Sequence, residues 1–245
     1  MLEVNPKFDV PAARLRIAAV TPFTSIDYPG KLSAVVFVRG CPWKCVYCQN
    51  PWMQDRRPQE GDSDWNRVID LLGRRQGLLD GVVFSGGEPC VDPALPAAVS
   101  EVKALGMSVG LHTSGAYPEH LKAVIDNVDW VGLDVKATMH PDHFSRVVQT
   151  PKALEHFLES FEIIVNAGVQ YEARTTAHPD YMTPAQILEL AYWLKARGCT
   201  NYALQIFRKA PGIDLGLDNV VADYPGQAVL DELRGLFPTF LLRRG

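Results

Sequence analysis

Short runs of β-branched and aliphatic residues alternate with amphipathic helical stretches along most of this 245-residue chain, and this alternation restricts its fold more than any other feature. A strand pattern followed by a helix pattern, repeated, calls for parallel strands joined by right-handed crossovers. Strands are predicted at Ser33–Val38, Gly81–Ser85, Ser108–Leu111, Trp130–Val135, Gln170–Thr175 and Tyr202–Phe207. Helices are predicted over Asp64–Leu72, Pro93–Leu105, Pro118–Ile125, Lys152–Ala167 and Thr183–Arg197, with a last helix at Gln227–Leu236 and an edge strand at Thr239–Leu242. Ser63 or Asp62 is expected to cap the first helix, and Thr183 to cap the fifth with Pro184 in its first turn. Gly106, Gly168 and Gly198 stand where helices stop. Six such βα units imply an α/β fold, an open partial barrel with a parallel sheet and helices outside, and chemistry at the C-terminal strand ends.

One domain, 1–245, is expected, with a core at about 31–208, an N-terminal extension and a C-terminal helix and edge strand. The formal net charge is −4, so bulk charge makes no case for nucleic acid or an anionic membrane. No apolar run of about 18 residues predicts a membrane span, and the first twenty residues lack a secretory pattern. The expected compartment is the cytoplasm.

Three of the five cysteines fall within eight residues, as Cys41-x3-Cys45-x2-Cys48, directly after the first predicted strand. An odd number of thiols so clustered favours metal binding over a disulfide framework. Iron–sulfur clusters normally take four cysteines, so three on one tight loop leave one iron open to a substrate. The competing reading is a structural zinc site, which needs a fourth ligand. Cys90 and Cys199 are isolated and read as ordinary buried cysteines, and His112, His140, His143 and His178 form no second pair.

With Tyr47 before the third cysteine and Gly86-Gly87-Glu88 after the second strand, the triplet resembles the radical S-adenosylmethionine (SAM) superfamily. Ser25-Ile26-Asp27-Tyr28-Pro29-Gly30-Lys31-Leu32, Cys48-Gln49-Asn50-Pro51, Gly132-Leu133-Asp134-Val135-Lys136 and Arg174-Thr175-Thr176 narrow the resemblance to activating proteins of glycyl-radical enzymes. The nearest resemblance is to anaerobic ribonucleoside-triphosphate reductase activating proteins, with pyruvate formate-lyase activating enzymes as the neighbouring family.

That resemblance implies a partial (βα)6 barrel of the radical SAM type, a [4Fe–4S] cluster on Cys41, Cys45 and Cys48, and SAM as cosubstrate. It places Gly86, Gly87 and Glu88 at the SAM amino group, Asp134 and Lys136 at the ribose or carboxylate, Arg174 at the methionine carboxylate and Tyr47 at the adenine. Asp134, Lys136 and Arg174 also read as surface ion pairs, and Trp43 as packing for the cysteine loop. The pyruvate formate-lyase activators carry aspartate where this chain has His112, which reads equally as a hydrogen-bonded strand-end histidine. Arg208 stands where they tend to place histidine.

The implied activity is reductive cleavage of SAM to a 5′-deoxyadenosyl radical that generates a glycyl radical on a partner, anaerobic ribonucleotide reductase. A flavodoxin- or ferredoxin-type protein would donate the electron. Met139–Val148 and Lys209–Asp223 are expected as loops for the partner surface. Competing readings are a pyruvate formate-lyase type activase, a radical SAM enzyme acting on a small purine-derived precursor, and a zinc-binding module.

Overall fold

The computed structural model describes residues 8–244. Its main elements are β1 (Ile17–Thr24), β2 (Ser33–Val38), α1 (Trp65–Gly73), β3 (Gly81–Gly86), α2 (Leu95–Ala104), β4 (Ser108–Thr113), α3 (Pro118–Lys122) and β5 (Trp130–Asp134). They continue as α4 (Pro141–Val148), α5 (Ala153–Ala167), β6 (Gln170–Ala177), α6 (Pro184–Ala196), β7 (Asn201–Ile206), α7 (Gln227–Leu236) and β8 (Thr239–Arg244). The eight strands follow one another in chain order in a single sheet. β2–β3, β3–β4, β6–β7 and β7–β8 pair in parallel, as βα connections require.

The six expected strands are β2 to β7, and the expected edge strand is β8, which runs on to Arg244. β1 was not predicted. It pairs antiparallel with β2, with two register shifts, and carries Pro22. An interior proline argues against a strand in sequence, and an edge strand tolerates it because one row of amides is unpaired. α4 is the second departure: Met139–Val148, expected as a loop, contains an amphipathic helix that buries His143, Phe144, Val147 and Val148. The cap of α1 also differs. The Asp64 carboxylate, not Ser63 or Asp62, accepts from the Arg67 amide at 3.0 Å, worth about 1 kcal/mol. Thr183 caps α6 as expected, in a reciprocal box with Gln186.

Contacts divide the chain into two compact units. The first takes the described residues up to Pro42 with Asn50–Gly132 and His156–Gln170. The second takes Trp43–Gln49, Leu133–Glu155 and the described residues from Tyr171 on.

In the first unit, Val35 and Val83 form a buried cluster with Tyr28 and Trp130, whose rings stack at 5.6 Å. Burying each aliphatic side chain there contributes about 1.5–3 kcal/mol. Tyr28, quoted above for a family resemblance, is thus a core residue. In the second unit, Tyr202 packs against Phe237 and Phe240, with centroids 5.0 and 6.1 Å away. Among the described residues no helix is long and apolar enough to cross a membrane.

Candidate functional site

In the first unit, the register of β2 on β3 sets Val38 beside Gly86, so both chains leave the sheet together. Beyond the strands, the Gly87 amide donates to the Val38 carbonyl at 3.0 Å and the Glu88 amide to the Gly40 carbonyl at 2.8 Å. This continued pairing brings the glycine pair against Cys41. A Cβ on Gly87 would lie 2.3 Å from the Gly40 oxygen and 3.2 Å from the Cys41 Cβ. One on Gly86, at φ +121°, would lie 2.3 Å from the Val38 oxygen. Neither position has room for a side chain, and Gly86 also adopts a backbone conformation that favours glycine.

The exit of β2 is braced from below. Arg39, 1% exposed, forks onto the Asp62 carboxylate and donates to the Trp52 carbonyl at 3.0 Å. The Gly40 and Cys41 amides donate to the Met53 and Gln54 carbonyls at 2.7 and 3.2 Å. Sequence patterning gave no sign of the Arg39–Asp62 pair, because an arginine after a hydrophobic strand reads as solvated.

Glu88 is fully buried and meets four donors: the Cys90 amide, the Thr113 hydroxyl, and the Ser114 amide and hydroxyl, at 2.6–3.1 Å. It therefore ties the end of β3 to the end of β4. Cys90 lies beneath it, its thiol held well above the ordinary range by burial first and by Glu88 next. Cys199 is likewise buried. The His112 ring meets the Asp27 carbonyl through Nε2 at 2.9 Å and lies edge-on to Trp130.

In the second unit, the segment Trp43–Gln49 carries Cys45 and Cys48 and rests on α4. The Lys44 amide donates to the Val148 carbonyl and the Val46 amide to the Val147 carbonyl, both at 3.0 Å. Those carbonyls belong to the last turn of a helix, where backbone acceptors lack intrahelical partners. Trp43 packs edge-on against Phe144. His143 anchors the helix: Nδ1 meets the Thr138 hydroxyl at 2.7 Å and Nε2 meets the Tyr181 carbonyl at 2.6 Å. A carbonyl can only accept, so Nε2 carries the proton. The signal for this helix was present in Pro141 and in the spacing of Phe144, Val147 and Val148.

The structure brings Tyr47, Asp134 and Lys136 together. The buried Tyr47 hydroxyl donates to the Lys136 carbonyl at 3.0 Å, and Lys136 Nζ donates to Asp134 at 2.8 Å. Burial works against the Lys136 charge, but Asp134 and then the Cys45 sulfur outweigh it and raise its pKa above the ordinary lysine range. Burial pushes the Tyr47 phenol up. It also pushes the Cys45 thiol up to about 11, opposed by Lys136 and reinforced by Cys48 and Asp134. Arg174 Nε donates to Glu172 at 2.7 Å, and Arg243 grips the same carboxylate at 2.9 and 3.0 Å. Glu172 precedes Arg174 by two residues on β6, hence on the same face of the strand. The Arg174 carbonyl also accepts from the Val135 amide at 2.7 Å.

No disulfide joins Cys41, Cys45 and Cys48, and each is partly exposed. Among the described residues no three His, Cys, Asp or Glu side chains converge as a mononuclear metal site would need. A donor set of three accessible thiols on one short loop fits an iron–sulfur cube with one corner unprotected by protein.

The chain belongs to the radical SAM superfamily, whose family model matches residues 35–181, and it is a radical SAM enzyme. Membership carries that superfamily's cofactors, a [4Fe–4S] cluster and SAM. Among individual proteins it is 30% identical over 207 residues to one of Methanocaldococcus jannaschii provisionally named a glycyl-radical enzyme activating enzyme, covering 81% of this chain and 82% of that protein. It is 29% identical over 147 residues to the pyruvate formate-lyase-activating enzyme of Staphylococcus epidermidis, covering 55% and 57%. In structure it resembles SuiB of Streptococcus suis bound to S-adenosylmethionine, with a TM-score of 0.66 at 10% identity over 84% of this chain. The chain matches 48% of SuiB, and that likeness speaks for the fold alone.

Proposed function

We propose that the chain activates a glycyl-radical enzyme, and that its partner is anaerobic ribonucleoside-triphosphate reductase. One observation carries the reading: three partly exposed, unbridged thiols on a loop whose entry is pressed against a glycine pair with no room for side chains. The match to the M. jannaschii protein over most of both chains supports the activase class.

In this reading Cys41, Cys45 and Cys48 hold the cluster. Gly86 and Gly87 leave backbone open to the SAM amino group, with Glu88 bracing them from β4. Lys136, kept charged by Asp134, offers a cation to the SAM carboxylate, and Asp134 an acceptor to the ribose. Arg174 adds a guanidinium whose plane Glu172 fixes. Tyr47, buried and with its hydroxyl tied to the Lys136 carbonyl, packs beside the adenine as part of the wall and not as a stacking face. When bound, the cluster and SAM would supply, with one electron from a flavodoxin- or ferredoxin-type donor, cleavage of the sulfonium carbon–sulfur bond to methionine and a 5′-deoxyadenosyl radical able to take a hydrogen atom from a glycine Cα.

The test is anaerobic reconstitution with iron and sulfide, then incubation with SAM, reductant and the reductase. A glycyl-radical doublet on the reductase is the expected result. A doublet only on pyruvate formate-lyase would favour the second reading, which the staphylococcal relative motivates. Deoxyadenosine without a radical on either partner would sink both.

A further inference from the structure

A pocket of about 430 Å³ opens in the second unit where β7 and β8 end. Ile206 and Phe207, both buried, form its floor, and Arg208, Lys209 and Arg244 supply three cations with no carboxylate in the lining. This concentration runs against a chain whose formal net charge is −4.

The neighbouring groups do not cancel it. Asp218 approaches Lys209 only to 3.7 Å and is fully exposed, which makes a weak pair. Arg244 Nη2 donates to the Tyr224 carbonyl at 2.6 Å, a neutral acceptor that leaves its charge in place. Arg208 is exposed and makes no ion pair among the described residues.

The wall is held rather than loose. The Lys209 amide donates to the Asn219 side chain at 3.2 Å, the buried His178 ring donates to the Asp218 carbonyl at 3.1 Å, and the Tyr224 hydroxyl donates to the Met182 carbonyl. The pocket is also tied to the cysteine loop. Gln49, next to Cys48, donates from Nε2 to the Arg208 carbonyl at 3.0 Å.

We propose that this pocket anchors an acidic side chain, Asp or Glu, of the segment by which the glycyl-radical partner docks. The proposal rests on the activase reading and adds the chemistry of the contact. A guanidinium beside an ammonium is suited to a carboxylate, and the apolar floor and the exposed Val221 on the adjoining loop suit the residues flanking it. A free nucleotide would also bring anionic oxygens. It is disfavoured because Phe207, the one aromatic residue in the lining, is 3% exposed and offers no face for a base to stack on.

The experiment measures the dissociation constant of the cluster-loaded protein for anaerobic ribonucleoside-triphosphate reductase by anaerobic calorimetry, at two salt concentrations. Arg208→Glu and Lys209→Glu are each expected to weaken binding about tenfold or more and to flatten the salt dependence, with Arg208→Lys close to the parent. Unchanged binding in both reversals, with cluster loaded, overturns the docking proposal. Inorganic triphosphate binding that Arg208→Glu abolishes while reductase binding stays unchanged also overturns it, making the pocket a small-anion site. Failure of the unsubstituted protein to take up a cluster or to bind the reductase instead overturns the reading beneath it.

Discussion

Trp43 and Phe144 meet edge to face, their ring centroids 5.7 Å apart, and both are essentially buried. The first is the second residue after Cys41, and the second is the apolar centre of α4. The contact means that the cysteine loop is held by a helix, through two rings and two backbone hydrogen bonds to its last turn. Phe144→Ala should cost about 3–5 kcal/mol, the usual penalty for emptying a well-packed aromatic site. Denaturant unfolding of the metal-free protein measures it. Iron bound per chain should fall too, under conditions where the variant is still folded. A loss under 1 kcal/mol with full iron content would mean that the loop holds its shape without α4.

A different brace serves the other end of the loop. Arg39 is buried and charged, and its partner Asp62 comes from the segment before α1. Removing one member of such a pair strands the other, at a cost of about 3–5 kcal/mol. Asp62→Ala should therefore be severely destabilising. Arg39→Met combined with Asp62→Ala should recover at least half the loss, because no unpaired charge then remains. Equal instability of single and double variants would show that the pair acts through packing and not through its charge.

Most of the strand order was legible because buried parallel strands read as continuous apolar runs, such as Ser33–Val38 and Gly81–Phe84. β1 was not, since Pro22 and its half-exposed residues break the run. α4 is less legible, since its apolar spacing, Phe144, Val147 and Val148, covers little more than one turn. At the site, the cysteine triplet and the glycine pair were visible as spacing. The partners that orient them were not: Asp62 lies 23 residues from Arg39, and Thr113 lies 25 residues from Glu88. Strand register brings Thr113 to Glu88, and the fold of the segment before α1 brings Asp62 to Arg39; a single sequence prints neither. Glu172 beside Arg174 is the exception, since alternation along one strand places them on the same face.

Gly87 provides a steric test. An added methyl would strike the Gly40 oxygen at 2.3 Å, and that atom is backbone, unable to swing aside. Gly87→Ala should displace the start of the cysteine loop and lower SAM cleavage about a hundredfold, the scale of an ångström-level misplacement. Gly106→Ala is the control, since nothing lies within 4 Å of its added Cβ although φ is +76°. It should cost about 1 kcal/mol of stability and leave cleavage near the parent rate. Comparable cleavage by both variants would mean that the close approach at Gly87 has no bearing on the reaction.

The last prediction concerns proton release. Desolvation raises the Cys45 thiol from an ordinary 9.0 to about 11, against the pull of the Lys136 ammonium. A raised thiol pKa favours the protonated form in the folded state. Its contribution to stability is therefore full below about pH 9 and disappears as pH climbs through 11. Since thiolate is both the metal ligand and the nucleophile, the metal-free protein should take up iron faster as pH rises from 7 to 9. Alkylation of Cys45 by iodoacetamide at pH 8, followed by mass spectrometry, should be about a hundredfold slower than that of an ordinary thiol, two pH units' worth of thiolate. Lys136→Met removes the opposing cation and should slow it further, whereas Asp134→Asn removes a neighbouring anion and should speed it. If Lys136→Met sped the alkylation instead, access to the sulfur and not its ionisation would be governing Cys45.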